Sequence, residues 1–165
     1  MVSWRSITQN SFLSEFRILN NYAITIDIVP RVKKAFNVVL ATSLVHYFPP
    51  KHHIRALGII DEVLTLDPDN VACIMGRGYI LEALKRWDDA AELFEKIAQA
   101  LPDVGDGLRA KEEQAWCRFQ VHDGETAISG LKLVLDVLDS LENRNEDKAR
   151  CLWRIGKCHW EAGGE

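Results

Sequence analysis

Cysteines, histidines and paired carboxylates are the side chains through which this chain could do covalent, metal or acid–base chemistry. The four cysteines are Cys73, Cys117, Cys151 and Cys158, and none forms a CxxC pair. Cys151 and Cys158 stack two turns apart on one helix face, too far apart to bridge. We read all four as small buried thiols of a reduced compartment, in preference to a metal or redox site. His52-His53 follows Pro49-Pro50-Lys51 in an expected turn. Adjacent side chains diverge on most backbones, and no suitably spaced thiol or carboxylate stands nearby, so a metal site is disfavoured. Cys117 and His122, with Asp123 next, could on paper form a nucleophile and base across a helix end, but Cys117 is expected to pack inside. Asp88-Asp89, Glu112-Glu113 and Glu146-Asp147 read as helix starts or solvated faces, where acids suit the helix dipole. No P-loop, GxGxxG or GxSxG string occurs. The expectation is a protein without catalytic residues, metal or cofactor, and not an enzyme.

The elements that would position these residues are helices. With 165 residues, 47% hydrophobic and 27% charged, the chain can bury a real core. It has no run of roughly 18 apolar residues for a membrane span, and its first residues lack the layout of a signal peptide. An intracellular, cytoplasmic protein is expected. Residues 1–60 carry seven Lys or Arg against two Asp or Glu, and the remainder thirteen against twenty-two. That polarity reads as a solvated surface and not as a nucleic-acid stripe.

Apolar residues recur at helical spacing, as in Ile54, Leu57, Ile60, Val63, Leu64 and in Leu131, Val134, Leu135, Leu138. The alternation over Tyr22–Ile28 could pass for a strand; its surroundings favour a helix ending before Pro30. Breakers at Pro30, Pro49-Pro50, Pro68, 102–107, Asp123-Gly124, 143–145 and Gly163-Gly164 divide helices of about 11–17 residues.

Pro68 and Pro102 stand 34 residues apart, as do Ala56 and Ala90, Ile60 and Phe94, and Val63 and Ile97. Counted from Val71, Ile74, Gly78, Leu81, Trp87, Ala90, Phe94, Ile97 and Pro102 fall where a helix–turn–helix unit of this period needs them. Small residues at Gly78 and Ala90 let two helices cross closely, large ones fill the space around them, and proline ends the second helix. The chain therefore resembles the tetratricopeptide repeat family, which implies an all-α, right-handed superhelical solenoid of antiparallel helix pairs. Arg77 departs from the pattern, standing where the family prefers leucine. The expected units are a degenerate hairpin or preceding repeat at 1–36, repeats at 37–70 and 71–104, a third at 105–141 with a loop insertion at 103–107, and at 142–165 the first helix of a truncated further unit. A first helix without its second needs a cover, so a segment of a longer solenoid is expected.

The stretch Ala149–Trp160, together with Ile28–Phe36, resembles the large tetratricopeptide scaffold subunits of fungal superkiller complexes. The resemblance implies a scaffold that brings a helicase and a propeller-type subunit together for exosome-linked 3′-to-5′ mRNA decay. Family geometry also implies a groove lined by first helices. In successive units it would hold Met75, Tyr79 and Glu82; then Glu112, Trp116 and Phe119 beside Arg109; then Arg150, Trp153, Lys157 and Trp160. Aromatics and methionine suit protein hot spots, although packing within the chain's own fold is the competing reading. Trp116 and Trp153 are the leading candidates. The Lys/Asn clamp of chaperone-binding relatives is missing, since Ala41, Val45, Met75 and Tyr79 hold the corresponding positions. The alternative to a protein-binding scaffold is a helical-repeat module that contacts RNA directly through Arg5, Arg17, Arg31, Lys33, Lys34, Lys51 and Arg55.

Overall fold

In the computed structural model, residues 28, 30–101 and 105–162 are described. Among them there are seven helices and no strand. They are α1 over 30–46, α2 His53–Leu66, α3 Val71–Ala83, α4 Trp87–Ala100, α5 Gly105–Gln120, α6 Gly124–Asp139 and α7 Asn145–Ala162. Each helix from α2 onward packs on the next. In addition α3 touches α5 and α5 touches α7. That double pattern makes a solenoid, because the odd-numbered helices form a continuous row. The fold is all-α and tetratricopeptide-like.

Local sequence sets the joints. Asn70 caps α3 by accepting the amide of Cys73 at 3.2 Å, and Asp123 caps α6 by accepting that of Thr126 at 3.3 Å. The turns after α3 and α5 pass through left-handed residues, Lys85 (φ 58°) and His122 (φ 68°). In each, an amide reaches back to a carbonyl five residues earlier, Arg86 to Leu81 at 2.9 Å and Asp123 to Arg118 at 3.1 Å. This is the wrapped helix end usually built on glycine.

The core is three apolar clusters in series. Ala41, Val45, Ala56, Ile60 and Cys73 join α1, α2 and α3. Ala90, Phe94, Ile97, Ala110 and Cys117 join α4 to its neighbours. Leu108, Leu131, Val134, Leu138, Cys151 and Cys158 join α5, α6 and α7. The 34-residue register explains the close crossing of α3 and α4. A Cβ added to Gly78 would lie 2.6 Å from the Phe94 ring.

Several expectations need correction. Ile28 and Pro30 are both helical, and the rest of the helix expected to end before Pro30 falls outside the described residues. Proline's own φ is helical, and the carbonyl it would crowd, four residues back at Ile26, lies outside the described residues. So do the 1–27 part of the expected first unit, the alternating run up to Asp27, and Arg5 and Arg17. Gly105–Gly107 are helical where a loop was expected. Ile54 is exposed and lies off the buried stripe of α2. Arg77, in place of leucine, forms an ion pair with Asp61 of α2.

Candidate functional site

The odd helices carry the expected groove residues, and the structure sorts them into wall and surface. Met75 belongs to the core beside Phe94 and is only 7% exposed. Glu112 and Glu113 are not solvated either. Each is only 1% exposed, on the side of α5 that faces α3 and α7. Burial of two adjacent carboxylates is tolerable only with cations in contact, and three arginines supply them.

Arg150 of α7 grips Glu112 with two nitrogens, Nη2 at 2.7 Å and Nε at 2.9 Å, and also holds Asp147 at 2.7 Å. Arg154 spans both acids, at 3.1 Å to Glu112 and 2.8 Å to Glu113. Arg109 approaches Glu113 at 2.5 Å and donates Nε–H to the Tyr79 hydroxyl of α3 at 3.3 Å. One network thus ties α3, α5 and α7 along the inner row. Its hydrogen bonds, chiefly those to Glu112, hold Arg150 above the usual arginine range despite burial. Arg154 and Glu113 were missed by repeat reasoning. Their signal was a pair of arginines one turn apart on one first helix, facing a pair of acids on the preceding one.

An aromatic row sits beside this network. The Trp116 ring lies 5.4 Å from Phe119 and 5.8 Å from Trp153 of α7. The Arg154 guanidinium stands 5.1 Å from the Trp116 centroid, and Lys157 Nζ lies within 5.6 Å of both tryptophans. Lys157 also reaches Glu161 at 3.6 Å. Trp116 and Phe119 are half-buried, whereas Trp153 is 60% and Trp160 82% exposed. Trp153, Lys157 and Trp160 share a helix face by spacing. Glu82, at the other end of the row, is half-buried and accepts the Cys117 thiol at 3.2 Å. Burial, with Glu113 nearby, pushes its pKa up to about 7.

The geometry does not set Cys117 and His122 up as nucleophile and base. Cys117 is buried, and burial followed by the Glu82 charge pushes its thiol far up. His122 is an exposed turn residue. Burial, then Glu112, lifts Cys151 to about 11. All four thiols are free and buried. His53 is buried with Nε2 at 3.2 Å from the Val45 carbonyl. Among the described residues no group of three possible ligands could hold a metal, and no helix is long and apolar enough to cross a membrane. On α1, Lys33 is exposed and Lys34 pairs with Asp67 at 3.3 Å.

Stacked helix pairs, close small-residue crossings and a row of first helices carrying aromatics define a tetratricopeptide-like repeat segment. Its homologues include superkiller protein 3 of Saccharomyces cerevisiae, 30% identical over 132 residues, which are 79% of this chain and 9% of the yeast protein. Superkiller protein 3 of Schizosaccharomyces pombe is 26% identical over 140 residues, 85% of this chain and 10% of that protein. The chain thus spans about a tenth of the length of these relatives. No protein-family model matches it.

Proposed function

We propose that this chain is a segment of a protein-binding scaffold whose inner row, centred on Trp116 and Trp153, receives another protein. The observation that carries it is the pair of exposed tryptophans on α7, Trp153 and Trp160, continuous with the half-buried Trp116. Large aromatics left in water beside cationic side chains mark recognition surfaces. Tyr79, Phe119 and Lys157 flank the row, while Glu112 and Arg150 hold its wall rigid. Likeness to superkiller protein 3 supports a role in a superkiller-type assembly. The partners would be a helicase and a propeller-type subunit, and the process 3′-to-5′ mRNA decay with the exosome, in the cytoplasm. In this reading the chain positions enzymes and catalyses nothing. The pairing of Lys34 with Asp67 removes one cation from the alternative RNA reading.

The test is capture of purified helicase and propeller subunits of a fungal superkiller complex by this chain and by its Trp116→Ala/Trp153→Ala variant. The groove reading expects capture that the variant loses by at least tenfold while keeping its helical circular dichroism. Equal capture by both would remove the inner row as the binding surface.

A further inference from the structure

Glu82 stands beside the arginine network without an ion-pair contact to it. Glu112, Glu113 and Asp147 take up Arg109, Arg150 and Arg154. Among the described residues no cation lies within ion-pair distance of Glu82, which accepts the Cys117 thiol. Glu82 opens instead onto a cleft of about 340 Å³ at the α1–α3 end of the row, lined also by His46, His53, Tyr79, Trp87 and Trp116. No lysine or arginine lines this cleft.

The lining favours a donor of positive charge. His53 is buried and its Nδ1 finds no hydrogen-bond partner. Its Nε2 faces the Val45 carbonyl, which places the ring proton on Nε2 and leaves Nδ1 an acceptor. Electron-rich aromatic faces attract cations, and a carboxylate in a half-buried cleft gains most from a cation that arrives with its own donors.

We infer that this cleft receives a cationic side chain of the partner protein, best matched by the planar guanidinium of an arginine, with Glu82 as its counter-charge. Arginine fits because its fork meets a carboxylate with two N–H groups while its plane stacks on an indole. The inference rests on the groove reading and names the chemistry the groove selects. Glu82 also faces Tyr79 on its own helix, Arg109, Glu113 and Cys117 on α5, and Arg154 on α7. Its raised proton affinity reflects burial first and then Glu113, so ligand cation and proton compete for the same carboxylate.

The experiment is a titration of the chain with the blocked tripeptide acetyl-Gly-Arg-Gly-amide, read on the tryptophan indole N–H signals by NMR. A twin in which neutral citrulline replaces arginine serves as control. The expected result is saturable movement of the Trp87 and Trp116 signals with the arginine peptide and at least tenfold weaker response to citrulline. Glu82→Gln should weaken arginine binding at least tenfold, because glutamine keeps the acceptor for Cys117 and removes the charge. Binding should tighten about tenfold from pH 6 to pH 8, as a carboxyl titrating near 7 becomes charged. Equal response to both peptides, no response, or indifference to Glu82→Gln would overturn the inference. The citrulline comparison needs no folded variant. Capture of whole subunits is read separately, so retained capture without arginine preference sinks this inference and leaves the groove reading standing.

Discussion

The α3–α4 crossing and the α5–α7 contact solve the same packing problem in opposite ways. At the first, Gly78 meets the Phe94 ring with no room for a methyl, and Ala90 and Ala91 are buried beside it. At the second, Glu112, Glu113, Arg150 and Arg154 fill the space with ion pairs. The difference shows what the repeat signature controls. It fixes the crossing inside a helix pair, where only small residues permit close approach. It leaves the row between pairs open, and there this chain pairs acids of α5 with arginines of α7.

Removing a member of the charged contact should do the most damage. Glu112→Ala leaves Arg150 and Arg154 short of a buried partner, and breaking such a group costs about 3–5 kcal/mol. Urea unfolding followed by circular dichroism measures it. A loss under about 1 kcal/mol, the usual worth of a surface ion pair, would collapse the contrast. Gly78→Ala attacks the apolar crossing and should cost roughly 1–3 kcal/mol by forcing Phe94 aside.

The 34-residue spacing makes the apolar half of this contrast legible in the sequence. Gly78, Ala90 and Phe94 stand in register, and so do Ala115, Ala127 and Leu131 of the next pair, where Ala115 meets Leu131 in one cluster. The charged half is not legible in that way. Glu112-Glu113 looks like any solvated acidic pair until the fold brings Arg150 and Arg154 over it, from 38 and 41 residues along the chain. Repeat geometry put Met75 in the groove, but its flexible side chain turns to the core beside Phe94. Trp153 and Trp160 stay exposed because no helix lies over that face among the described residues.

Smaller effects sharpen the comparison. Glu82 sits between the two regions with its pKa raised to about 7 from the ordinary carboxylate value of 4.5. The folded state therefore binds more protons than the unfolded chain between those pH values. Its contribution is greatest below pH 4.5 and fades as pH rises through 7. Glu82→Gln should flatten that decline and leave the chain more stable at pH 8, by on the order of 1–2 kcal/mol after allowing for partial exposure. Melting curves at pH 5, 6.5 and 8 would show it, and a variant less stable at pH 8 would contradict the sign. Gly156 repeats the position of Gly78 two units on, yet a Cβ there meets nothing within 4 Å. Gly156→Ala should stabilise α7 by up to about 1 kcal/mol, the ordinary helix gain. A loss as large as that of Gly78→Ala would mean that this face is covered.

The most direct test of a protein-binding inner row is photo-crosslinking in the full-length protein. A benzophenone amino acid would replace the exposed Trp160 of α7 or, in a second variant, the exposed Leu133 of α6. The account predicts adducts with another protein from position 160 and few or none from position 133. Adducts from 160 confined to its own chain, or partner adducts from 133 alone, would contradict it.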